Sequence, residues 1–138
     1  MSERFVLEDT AYGQLAEHIE NTYPEEACGI LIGNIDEKRI YDISETFNLE
    51  SDRPQTNFSI DPLEIYRLEK DNKEVVGFYH SHPNKTTNLS TKDKEHLVPG
   101  VLNLIFSVTN NGVVDMKAYI KEKPEATEVI EEQVRVHI

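Results

Sequence analysis

Three short apolar runs limit what this chain can fold into: Ala27 to Gly33, Val75 to Tyr79 and Val101 to Val108. Each falls well short of the ~18 residues that would suggest a membrane-crossing helix. The first is bounded by turn formers, and all three read as strand segments of a soluble core. A chain of 138 residues can bury about two-thirds of the surface its unfolded form exposes, enough for one real core and too little for two ordinary domains. A single domain, 1–138, is therefore expected.

Helical and strand signals alternate around those runs. In residues 8–22 Tyr12, Leu15, Ala16 and Ile19 recur at three- and four-residue spacing, which predicts a helix with Asp9 and Thr10 as caps, closed by Tyr23 and Pro24. Lys38 to Asn48 alternates like a strand with one wet face, and a loop follows through Pro54. Phe58 to Ile60 reads as a brief strand, and Asp61-Pro62 starts a second helix running to about Asp71. Glu74 to His82 returns to strand. Val101 to Val108 and Val113 to Tyr119 flank Thr109-Asn110-Asn111-Gly112, whose Asn-Gly pair predicts a hairpin. Val129 to Ile138 is expected as a late edge strand or tail. The fold class that follows is α/β, a single mixed β-sheet flanked by helices.

Charge and cysteine content narrow the partners. With 26 acidic against 14 basic side chains the net charge is −12, and the basic residues lie scattered among carboxylates. A nucleic-acid binder needs clustered Lys and Arg, so that class is excluded, and a basic partner or plain solubility fits better. Cys28 is the single cysteine, which rules out an intramolecular disulfide and fits a reducing compartment. The opening MSERFVLEDT has no apolar core for a secretion signal, so a cytoplasmic location is expected.

The chemistry concentrates in Phe78-Tyr79-His80-Ser81-His82-Pro83 and the segment NKTTNLSTKD after it. His80 and His82 stand two apart at a strand end, so both imidazoles project from one face and can share an ion. Pro83 is expected to end the ladder, letting the chain turn through Asn84 to Leu89 and bring Asp93 back from the start of a short helix. Two nitrogens and one carboxylate oxygen, with a fourth position open to water, have the composition of a catalytic zinc site. Plainer readings stand beside this one. A His-x-His pair is often only hydrogen-bonded surface, and Ser90-Thr91-Lys92-Asp93 is also a helix capping box.

His-Ser-His-Pro, then Ser-x-x-Asp after seven residues counted from His82, resembles the signature of the JAMM (MPN-plus) metalloproteases. Glu26-Ala27-Cys28-Gly29-Ile30-Leu31-Ile32-Gly33 is similar to the upstream glutamate motif of that family. Phe58 to Pro62, Val76-Gly77 and Leu104 to Val108 extend the likeness over about residues 10–120, in the compact prokaryotic style. Leu89 stands where the family commonly has proline, a departure that touches the rim and removes no ligand.

The resemblance implies an MPN-type architecture, similar to cytidine deaminases, and one Zn²⁺ per chain held by His80, His82 and Asp93. It also implies Glu26 as the catalytic base and Ser90 as an oxyanion donor. Glu26 is chosen over Glu25 by motif register alone. Cys28 is read as a small buried hydrophobe rather than a fourth ligand, and His18, His96 and His137 fall outside the motif. The implied activity is a zinc isopeptidase or peptidase cleaving after the C-terminal Gly-Gly of a ubiquitin-like or sulfur-carrier protein. A non-catalytic zinc-binding interaction module is the rival.

Overall fold

The computed structural model of the chain describes residues 5–46, 62–123 and 128–137. Its elements are, in order, β1 (Phe5–Glu8), α1 (Asp9–Thr22), β2 (Cys28–Asn34), β3 (Arg39–Thr46), α2 (Pro62–Lys70), β4 (Val75–Pro83), α3 (Thr91–His96), β5 (Leu102–Thr109), β6 (Gly112–Ile120), β7 (Ile130–Glu132) and β8 (Val134–His137). The Phe58 to Ile60 strand, the Asp61 cap and the loop through Pro54 lie outside the described residues.

The eight strands among the described residues share one mixed sheet, ordered β7-β6-β5-β4-β2-β3-β1-β8. The ends of that order are consecutive in the chain, separated by Gln133 alone, so the sheet must curl until its two edges approach. The late segment is thus not one edge strand but two, β7 antiparallel to β6 and β8 parallel to β1. Strand β1 escapes a reading of the sequence because four residues carry too little pattern, and its partners β3 and β8 lie far along the chain.

Helix α1 lies on the inner face of this curled sheet. Ala11, Leu15 and Ile19, four residues apart, are its buried side chains, and they pack with Leu7, Leu31, Ile40, Tyr79, Leu104 and Phe106. Glu8 is its N-cap without a side-chain cap bond, so the expected capping by Asp9 and Thr10 does not occur. On the outer face, Ile65 and Leu68 of α2 pack against Ile30, Ile32 and Phe78. No helix among the described residues is long and apolar enough to cross a membrane.

Strand β4 is central, antiparallel to β2 on one side and parallel to β5 on the other. A parallel pair cannot be joined by a hairpin and requires a crossover. Residues 84–101, with α3 inside them, form that crossover. Strand β4 ends at Pro83 as expected, although Pro83 itself still lies in the ladder. Pro83 is in register with Val108, and the Asn84 N–H donates to the Val108 carbonyl at 2.7 Å. The hairpin forms where the Asn-Gly pair predicts it, with Gly112 at φ +103°, a value that only glycine adopts readily.

Candidate metal centre

His80 and His82 reach the same side of β4 because strand side chains alternate, and both rings are 4% exposed. Their Nε2 atoms are 3.2 Å apart. Two nitrogens at 2.0–2.1 Å from a tetrahedral ion would lie about 3.3 Å from each other, so the pair is already at ligand spacing. The His82 Nδ1–H donates to the Thr86 carbonyl at 2.9 Å, which leaves the lone pair on Nε2 and fixes the ring. Burial, reinforced by the charge of His82 and opposed by Asp93, pushes His80 down to about 3. At neutral pH its ring is therefore uncharged, the form that binds metals.

Glu26 precedes β2, the antiparallel neighbour of β4, and is 6% exposed, whereas Glu25 faces solvent. Donor atoms of Glu26, His80 and His82 all lie within 4.8 Å of one another. Asp93 stands at the rim of this group, its Oδ1 3.8 Å from His82 Nε2.

The Ser90–Asp93 arm closes the site from the crossover. Both halves of a capping box are present: the Ser90 hydroxyl accepts from the Asp93 N–H at 3.1 Å, and Asp93 Oδ2 accepts from the Ser90 N–H at 2.9 Å. That arrangement points Asp93 Oδ1 toward the histidines. Burial opposes ionisation of Asp93, but the Ser90 N–H, His82, the Ser90 hydroxyl and His80 outweigh it and hold the carboxyl below its usual range. Glu26, His82, Asp93, Ser90, Lys85 and Asn88 line a cleft of about 520 Å³.

Two imidazoles and two carboxylates beside an open cleft form a nitrogen-and-oxygen donor set that suits zinc. Cys28 pairs with His80 across the β2–β4 ladder, yet its thiol lies 3.4 Å from the Thr46 hydroxyl and is not among the grouped donors. Burial, with help from the charge of Glu26 and against the Thr46 hydrogen bond, pushes that thiol up, so it stays protonated. His18 belongs to the opposite face, where its Nδ1 is 2.7 Å from the Tyr79 hydroxyl. The side chains of His96 and His137 lie outside what is described.

The cleft also contains residues the sequence did not single out. The Thr86 carbonyl that orients His82, and Lys85 and Asn88 at the rim, sit in a polar loop with no pattern to mark them.

A model of the prokaryotic homologues of the JAB domain matches residues 8–119, and the chain belongs to that family. The desampylase of Haloferax volcanii is 33% identical over 89 residues, 61% of this chain and 63% of that protein. The match therefore spans less than two-thirds of the length of the relative. The solution structure of a Desulfitobacterium hafniense protein superposes with a TM-score of 0.78 at 26% identity, covering 96% of this chain and 92% of that one. A JAB1/MPN domain protein of Archaeoglobus fulgidus shares the fold, with a TM-score of 0.57 at 15% identity over 97% of this chain and all of its own. The sheet flanked by helices and the family read from the sequence both stand.

Proposed function

We propose that this protein is a zinc-dependent isopeptidase or peptidase that cleaves after the C-terminal Gly-Gly of a ubiquitin-like modifier or sulfur-carrier protein. The observation that carries the reading is the buried pair of imidazole nitrogens 3.2 Å apart, facing an open cleft with the Glu26 carboxylate beside them. Likeness to a desampylase supports a ubiquitin-like modifier as substrate. His80, His82 and Asp93 would hold the zinc. The ion, when bound, supplies a Lewis acid that activates water at neutral pH.

Glu26 would take the proton of the attacking water and return it to the leaving amine, a role typically worth ~10²- to 10⁴-fold. It is largely buried yet lines the cleft beside the imidazoles. The Ser90 oxygen already accepts from the Asp93 N–H, so its own hydrogen is available to the substrate carbonyl oxygen as negative charge develops there. A diglycine tail suits a narrow cleft, since it lies extended without side chains to clash. We extend the proposal to a cytoplasmic location, which a lone cysteine with no intramolecular disulfide partner supports.

The test is incubation of zinc-loaded protein with ubiquitin-like fusions and conjugates, read by mass spectrometry. Cleavage after Gly-Gly that chelation abolishes, and that Glu26→Gln loses while keeping its zinc, supports the enzyme. Zinc binding with no cleavage of any such substrate leaves an interaction module instead. Loss of zinc in Glu26→Gln makes Glu26 a ligand rather than a base.

A further inference from the structure

One face of β6 is turned toward the crossover that carries Ser90 and Asp93. Asp115 accepts from the Thr87 hydroxyl at 2.8 Å, Lys117 Nζ donates to Asn88 Oδ1 at 3.4 Å, and the Tyr119 hydroxyl donates to the Thr87 carbonyl at 3.0 Å. Two residues further on, Lys121 Nζ donates to the carbonyls of Lys94 at 2.9 Å and Glu95 at 3.2 Å. These four residues follow one another at the two-residue period of a strand, so one alternating set spans the connection from Thr87 to the end of α3.

Lys121 is the most informative member. It is 3% exposed, a burial lysine almost never tolerates without partners, and its partners are carbonyls of the last turn of α3. Helix ends leave such carbonyls unsatisfied, and cationic side chains there are favourable. A helix of six residues is not stable alone, so its placement depends on contacts of this kind. His80 and His82 need no such help, because β4 is held by ladders on both sides.

We propose that Lys121 is a positioning residue for the metal site: buried under α3, it holds the Ser90–Asp93 arm against the two histidines, with Tyr119 securing the loop before it. The proposal rests on the reading of His80, His82 and Asp93 as the zinc ligands. It makes Asp93 the ligand whose geometry is set by β6 rather than by β4.

The experiment compares wild type with Lys121→Met, which keeps the stem and removes the ammonium, and with Lys121→Arg, which retains a cation. Amide hydrogen exchange is followed on metal-free protein, and zinc affinity is measured by competition with a chromophoric chelator. Lys121→Met should speed exchange across residues 91–96 while β4 keeps its protection, and should weaken zinc about 10- to 100-fold, the usual effect of losing an outer support of a ligand. Lys121→Arg should recover part of both.

Unchanged exchange in 91–96, or unchanged zinc affinity despite faster exchange, overturns the proposal and makes Lys121 a structural residue only. If Lys121→Met does not fold, Tyr119→Phe, which deletes a single hydroxyl, decides in the same way through exchange at 87–93 and a smaller loss of zinc affinity. A wild type that takes up no zinc refutes the ligand assignment, and with it the proposed role, whereas faster exchange alone would still show that Lys121 holds α3.

Discussion

Replacing Ser90 by alanine separates two roles that its position makes possible. The hydroxyl oxygen accepts from the Asp93 N–H at 3.1 Å, a helix N-cap whose removal costs about 1 kcal/mol. Against a typical domain stability of 5–15 kcal/mol, that loss leaves more than ~99% of the molecules folded. Asp93 itself should stay in place, because its Oδ2 is held by the Ser90 backbone N–H, which alanine retains. If the hydroxyl hydrogen meets the developing oxyanion, the same change should lower kcat by about 10²- to 10³-fold, or about 2.7–4 kcal/mol, with little effect on KM. Ser90→Asp restores a cap acceptor but cannot donate when ionised, so it should regain stability and remain inactive. The assay is kcat on a ubiquitin-like fusion together with urea unfolding of each variant. A Ser90→Ala protein that loses its cap stability yet turns over at the full wild-type rate per folded molecule would refute the oxyanion role.

Wild-type protein should carry about one zinc per chain, and His80→Ala or Asp93→Ala should lower that occupancy in metal analysis. Full occupancy in both variants removes these residues from the site. At Gly77 an added Cβ would sit 2.0 Å from the Leu102 carbonyl oxygen, so Gly77→Ala must force β4 and β5 apart, at a cost of about 1–3 kcal/mol or more in urea unfolding. Gly13→Ala, with nothing within 4 Å, should instead stabilise α1 by about 0.5–1 kcal/mol, and equal effects at the two sites would contradict the packing described.

His18 is held below its usual pKa of 6.5 by burial, against the pull of Glu45, so the unfolded chain binds the proton more readily than the fold does. Its contribution to stability is then complete above pH 6.5 and is lost as the pH falls below that value. The difference in unfolding free energy between wild type and His18→Gln should shrink from pH 7.5 to pH 5.5, and a pH-independent difference would count against it.

Much of the fold was legible because its central strands are apolar on both faces. β2, β4 and β5 are buried along nearly their whole length, covered by α1 on one face and by α2 or the crossover on the other, and such strands appear in sequence as unbroken runs. The Asn-Gly turn gave the hairpin for an equally local reason. β1, β7 and β8 were missed or merged because what defines them is pairing between residues 5–8 and 134–137, and between β7 and β6, at opposite ends of the sheet. Three- and four-residue strands have no room for a period, and a curl that joins two edges is not encoded at any one of them.

The site was legible to the extent that its residues obey local periods. The two-residue step between His80 and His82 put both rings on one face, and the three-residue step from Ser90 to Asp93 predicted the capping box. Capping and ligation looked like competing explanations of Ser90 and Asp93, and the geometry shows that they are compatible. The bond from the Ser90 N–H engages Oδ2 and leaves Oδ1 directed at His82, so the cap is what aims the carboxylate toward the imidazoles. Lys121 was invisible for the opposite reason. A lysine at the end of an amphipathic strand reads as solvent-facing, and only the crossover folded over β6 buries it against the carbonyls of α3. The two histidines thus depend on a ladder the sequence announces, and Asp93 depends on side-chain ties across the sheet that it does not. Partial unfolding should therefore release Asp93 first and leave the imidazole pair intact.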